Sequence, residues 1–157
     1  LSFGLEAFCR ASVRAGVNGL IIPDLPPEEG AELEAITQKL KLDLIYLLAP
    51  TSTERRISLV AEKARGFIYL VSVTGVTGAR QTLPSDLEAF VKRVRKKTSK
   101  PLCVGFGISS PEQAQRAAKV ADGVIVGSRL IHLIEEEATL ASLRAFAISL
   151  REALDAK

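Results

Sequence analysis

Apolar residues gather in five short runs along the chain. They are NGLIIPD (residues 18–24), DLIYLLAP (43–50), GFIYLVSV (66–73), PLCVGFGI (101–108) and DGVIVGS (122–128). Runs this continuously apolar predict parallel strands covered on both faces rather than strands with one wet face. Between them the apolar positions fall three and four apart, which predicts amphipathic helices. Helices are expected over residues 5–15, 27–41 and 138–156. Three more are expected to start at capping residues: Thr51 followed by Glu54, Ser85 followed by Glu88, and Ser110 followed by Pro111 and Gln113.

Strict alternation of strand and helix implies a parallel sheet, either open and doubly wound or closed into a barrel. An open sheet that binds a dinucleotide carries G-x-G-x-x-G at its first strand-to-helix turn, and none of the five turns has it. A barrel places phosphate-binding glycines after its last two strands, followed by a short extra helix, and GFGISS and VGSRLIHLI fit that arrangement. The expectation is therefore one α/β domain over residues 1–157, a partial TIM (β/α)8 barrel of about five βα units corresponding to strands four to eight. The sequence begins at Leu1 and has no methionine, so processing or derivation from a longer chain is expected, with roughly three further βα units upstream. Five such strands alone would leave two apolar edges unpaired.

Composition narrows the partners. No apolar block approaches the roughly 20 residues that cross a bilayer, and residues 1–16 lack the pattern of a secretory signal, so a cytoplasmic protein is expected. The net charge is +3, with much of the excess in KRVRKKTSK (92–100), read as a solvated helix end. Aromatic residues make up 5% of the chain, too few for a stacking surface, so nucleic acid is not an expected partner. Cys9, Cys103 and the lone His132 have no metal-ligand spacing, and no metal is expected.

Three loops carry candidate chemistry. VTGVTGARQTLP (73–84) offers glycine amides and threonine hydroxyls to an anion. In GFGISS, the missing side chain at Gly107 would let a backbone amide approach a phosphate closely. Gly127 and Ser128 stand where a short helix begins, with its free N–H groups and positive dipole end. Each loop alone reads equally well as turn or cap chemistry, but together they can surround one phosphate without a lysine. Tyr69, near a strand end, reads either as a ligand-facing ring or as a core aromatic.

With GVTG after FIYLVS, then GFGISSPEQ, then VGS closing the last run, and GVNGLIIPDLPPEE near the start, the chain resembles the alpha subunit of tryptophan synthase along its whole length. The resemblance implies a (β/α)8 barrel that cleaves indole-3-glycerol phosphate to indole and glyceraldehyde 3-phosphate without a cofactor. It implies that Gly78, Gly107, Gly127 and Ser128 hold the phosphate, and that Phe106, Tyr69, Leu47, Ile21 and Ile125 line the indole pocket. Thr77 would lie on a mobile loop closing over substrate, and Asp24 and Pro26 would face a beta subunit in an alpha2-beta2 heterotetramer. The beta subunit would carry pyridoxal phosphate and receive indole through a channel. Val73 and Pro23 depart from residues common in the family.

Retro-aldol cleavage needs an acid to protonate indole C3 and a base to take the glycerol hydroxyl proton. The resemblance implies a glutamate and an aspartate upstream of Leu1, so no catalytic residue is expected in these 157 residues, and they are expected to be inactive alone. Other phosphate-binding barrels, such as a histidine-pathway cyclase or thiamine phosphate synthase, are the enzymatic alternatives. A half-barrel that only binds phosphate or a partner is the non-enzymatic one.

Overall fold

The computed structural model describes residues 3–71, 86–105, 107–136 and 140–156. Among the described residues there are six short strands interspersed with helices: β1 (Gly19–Ile21), β2 (Asp43–Ile45), β3 (Leu47–Leu48), β4 (Ile68–Val71), β5 (Leu102–Gly105) and β6 (Gly123–Val124). The helices are α1 (Leu5–Arg14), α2 (Ala31–Lys39), α3 (Glu54–Lys63), α4 (Leu87–Arg95), α5 (Pro111–Ala118), α6 (Ser128–Glu136) and α7 (Ala141–Asp155).

All strand pairs are parallel. β2 and β3 are two halves of one predicted run, parted at Tyr46. The first half pairs with β1 and the second with β4, while the Tyr69 N–H donates to the Tyr46 carbonyl at 3.0 Å. The neighbours on the two sides are thus offset along this run, the stagger that lets a parallel sheet curl.

Side-chain parity settles which face the helices cover. Leu44, Tyr46, Leu48, Ile68, Leu70, Leu102 and Val104 are buried in one core with Cys9 of α1, Leu33 of α2, Ile57 and Val60 of α3, Phe90 and Val94 of α4 and Ala114 and Ala117 of α5. Leu20, Ile22, Val124 and Val126 pack against the same core. Strand residues of the opposite parity, Ile21, Leu47, Tyr69, Val71, Cys103 and Ile125, stand outside it. Among the described residues the clustered core lies on the helix-covered face of the sheet, and Ile45, of the opposite parity, is buried as well at 4% exposure.

Side-chain caps mark two of the described helix starts. Ser110 accepts from the Gln113 N–H at 3.3 Å, the Gln113 side chain returns to the Ser110 N–H at 3.2 Å, and Pro111 takes the first helical position. The expected cap at Thr51 is displaced: Thr53 caps α3, accepting from the Arg56 N–H at 3.2 Å. Thr51 and Ser52 stay in the loop, where Ser52 Oγ accepts from the Ala49 N–H at 3.0 Å. Ser85 lies outside the described residues, and α4 begins after Asp86. The last strand is two residues long, shorter than its run predicts.

At the N-terminal ends of the strands, cations fasten the layers. Asp122 accepts from the Leu102 N–H at 2.7 Å and pairs with Arg95, whose guanidinium also donates to the Lys100 carbonyl at 2.9 Å. The basic cluster expected to be a solvated helix end thus also ties α4 to the sheet.

Candidate functional site

Parallel strands put all their C-terminal ends on one rim, and the described candidate residues lie on or toward it. Register aligns Leu47, Tyr69, Cys103 and Gly123 in one row across β3 to β6. One step nearer the rim, Val71 is opposite Gly105, and the Ile125 N–H donates to the Val104 carbonyl at 2.8 Å. Ile21, paired with Ile45, belongs to the same face on β1 and is 44% exposed. Of the expected indole-pocket residues, Ile21, Leu47, Tyr69 and Ile125 thus share the face turned away from the helices. Phe106 and Thr77 lie outside the described residues.

Tyr69 lies across the next strand. A methyl group built on Gly105 would overlap its hydroxyl and ring, so glycine is what lets the ring lie over β5. Burial pushes the Tyr69 hydroxyl pKa up, keeping it a neutral donor and acceptor. Cys103 is beside it, its thiol pushed up first by burial and then by the Asp122 charge, hence a thiol rather than a thiolate. Neither Cys103 nor Gly105 is among the site residues expected from the sequence. The cross-strand register that brings them to Tyr69 is not written in either run.

The glycine loops sit beyond this surface. Gly107 follows β5 with φ +82°, a left-handed conformation natural to glycine, and a side chain there would meet open space. The backbone conformation, rather than crowding, therefore favours glycine at this position. Gly127 precedes α6, and its carbonyl accepts from the Leu130 and Ile131 N–H groups at 2.9 and 3.1 Å. Ser128 and Arg129 thus head the helix, where backbone N–H groups lie beyond the reach of the intrahelical ladder. Gly107, Gly127 and Ser128 are all exposed, on loops following adjacent parallel strands. Gly78 lies outside the described residues.

A shallow cavity of about 360 Å³ opens at the same rim beside β3, sharing Leu47 and Val71 with the face turned away from the helices and reaching Thr53, the cap of α3, and Arg56 within it. Arg93 holds this part of the rim, donating to the Pro50 and Ser52 carbonyls at 2.8 and 2.9 Å. Asp24 is exposed in the loop after β1 and Pro26 half-buried, both at the strands' C-terminal end but away from the glycine loops in the chain. His132 lies on the exposed side of α6, 3.2 Å from Glu136. Among the described residues no group of three histidine, cysteine, aspartate or glutamate side chains is placed to hold a metal, and no helix is long and apolar enough to cross a membrane.

Comparison with known proteins identifies the family. The family model for the tryptophan synthase alpha chain matches residues 1–154. The tryptophan synthase alpha chain of Dehalococcoides mccartyi is 54% identical over 154 residues, a match covering 98% of this chain and 60% of the relative. That of Geobacter sulfurreducens is 48% identical over 158 residues, covering 98% and 60%. Among solved structures, Mycobacterium tuberculosis tryptophan synthase matches with a TM-score of 0.90 at 40% identity, covering 98% of this chain and 58% of that one. The tryptophan synthase alpha subunit of Legionella pneumophila matches with a TM-score of 0.83 at 34% identity, covering 98% and 58%. The chain spans about 60% of the length of these curated relatives. With a family match over nearly all its residues and a parallel α/β fold shared with solved members, the chain belongs to the tryptophan synthase alpha chain family.

Proposed function

We propose that this chain forms strands four to eight of a (β/α)8 barrel whose complete form cleaves indole-3-glycerol phosphate to indole and glyceraldehyde 3-phosphate. The observation that carries the reading is the convergence of Gly107 with Gly127 and Ser128 at the ends of adjacent strands, beside a face bearing Tyr69, Leu47, Ile21 and Ile125. Backbone amides at a helix start and at an unobstructed glycine suit a phosphate dianion. An apolar face with one neutral tyrosine hydroxyl suits an indole ring. In this reading Gly78 completes the phosphate site, Phe106 lines the indole pocket and Thr77 lies on the loop that closes over the substrate.

The division of labour follows from the chemistry. Binding the phosphate remote from the bond that breaks supplies orientation, while proton transfer to indole C3 and from the glycerol hydroxyl needs a positioned acid and base. Asp24 is exposed in the β1–α2 loop, and we assign it with Pro26 to contact with a beta subunit in an alpha2-beta2 assembly. The acid and base are then a glutamate and an aspartate of the complete alpha chain outside these residues. The retro-aldol step needs no cofactor on this chain, pyridoxal phosphate belonging to the beta subunit, and the setting is cytoplasmic.

The test is indole release from indole-3-glycerol phosphate, followed with the complete alpha chain and with the purified 157-residue chain. Release by the complete chain and none by the 157 residues is the expected result. Cleavage by the 157-residue chain that survives Asp24→Asn would overturn the assignment of acid and base.

A further inference from the structure

The loop of residues 22–30, between β1 and α2, carries Asp24 and Pro26. Two backbone hydrogen bonds fold it, from the Leu25 N–H to the Ile22 carbonyl at 3.2 Å and from the Glu29 N–H to the Pro26 carbonyl at 3.0 Å. Its centre is Pro26-Pro27, which has no N–H to contribute, and the carbonyl of the buried Pro27 takes a donor from a side chain. Lys63 supplies it. From the last turn of α3 its ammonium donates to the Pro27 carbonyl at 2.7 Å and to the two Glu34 carboxylate oxygens at 3.0 and 3.1 Å. These three bonds match the three donors of the group.

Glu34 is fixed in turn. Its Oε1 accepts from the Tyr46 hydroxyl at 2.6 Å, and a methyl group on Gly30, at the loop's end, would overlap that hydroxyl. Lys63 and Glu34 side chains are 24% and 25% exposed, far drier than the second tether between loop and helix, Arg56 to Glu28 at 3.1 Å with 37% and 50% exposure. The drier, fully bonded pair is the stronger restraint.

We propose that Lys63 is a positioning residue for subunit docking: by holding the Pro27 carbonyl it presets the 22–30 loop in the conformation that presents Asp24 and Pro26 to the partner. This rests on the reading of Asp24 and Pro26 as partner-facing. A loop already held in its bound shape loses less conformational freedom on association, so the effect belongs to affinity.

The test uses the complete alpha chain and the beta subunit. Lys63→Met is expected to weaken their association about five- to tenfold, the usual size of a coupling through one element. Cleavage of indole-3-glycerol phosphate by the alpha chain alone is expected to stay within about twofold, and Lys63→Arg to restore most of the affinity. Asp24→Ala should also weaken association, and Lys63→Met added to Asp24→Ala should cost less than it does alone, because both act through one loop. Unchanged affinity in Asp24→Ala would overturn the partner-facing reading. Weakened binding in Asp24→Ala with full affinity in Lys63→Met would overturn the positioning role alone. If Lys63→Met lowers the folded fraction, Lys63→Gln takes its place under the same criteria.

Discussion

Two tyrosines in nearly identical settings do different work. Tyr46 in LIYLL and Tyr69 in FIYLV are each flanked by aliphatic residues, yet Tyr46 faces the helices and Tyr69 the opposite side. Only register separates them: with every neighbour apolar, alternation leaves no trace in the sequence. Burial first, then the Glu34 carboxylate that accepts its proton, pushes the Tyr46 hydroxyl pKa well above its ordinary value of about 10. Above about pH 10 the unfolded chain therefore ionises this group while the folded chain keeps it protonated, and stability falls as pH rises. The contribution is fully present below that pH. Urea melts at pH 9 and pH 11 should show a smaller loss of stability in Tyr46→Phe than in the unaltered chain; an equal loss would contradict the assignment. At Tyr69 the decisive partner is Gly105: Gly105→Ala must displace the ring, and a denaturant titration should show destabilisation of about 1–3 kcal/mol.

At the scale of elements, the sequence was most legible where capping chemistry is local. Ser110, Pro111 and Gln113 announce α5, and the structure has the whole reciprocal motif. Ser110→Ala is expected to cost about 1 kcal/mol in the same titration. The start of α3 was less legible because Thr51, Ser52 and Thr53 are three adjacent candidates; the Ser52 side chain is committed to the loop, and Thr53 has the extended backbone a cap requires. Strand existence was clear from the five apolar runs, but strand length was not. DGVIVGS yields only Gly123–Val124 as strand, although the Ile125 N–H still reaches β5. The candidate site shares this division. Gly107 and Gly127–Ser128 could be found from residue type alone, whereas the row of Leu47, Tyr69 and Cys103 required the pairing register.

For the whole molecule, one-sided burial organises everything else. Helices draw Leu44, Leu48, Ile68, Leu70, Leu102 and Val104 into a single core, so the opposite parity is left to face a ligand or other side chains. Parallel strands then bring the described candidate loops to one end, with the proposed phosphate amides after β5 and β6 and the proposed docking loop after β1. On this arrangement Ser128 can be changed without altering the loop proposed to face the partner. Titration of glyceraldehyde 3-phosphate into the complete alpha chain tests the central claim most directly, with Ser128→Asp compared against the unaltered protein. A carboxylate at the head of α6 would occupy and repel the phosphate position, so affinity should fall at least about tenfold while the thermal midpoint holds. Equal affinity in the two proteins would contradict a phosphate site at Gly107, Gly127 and Ser128.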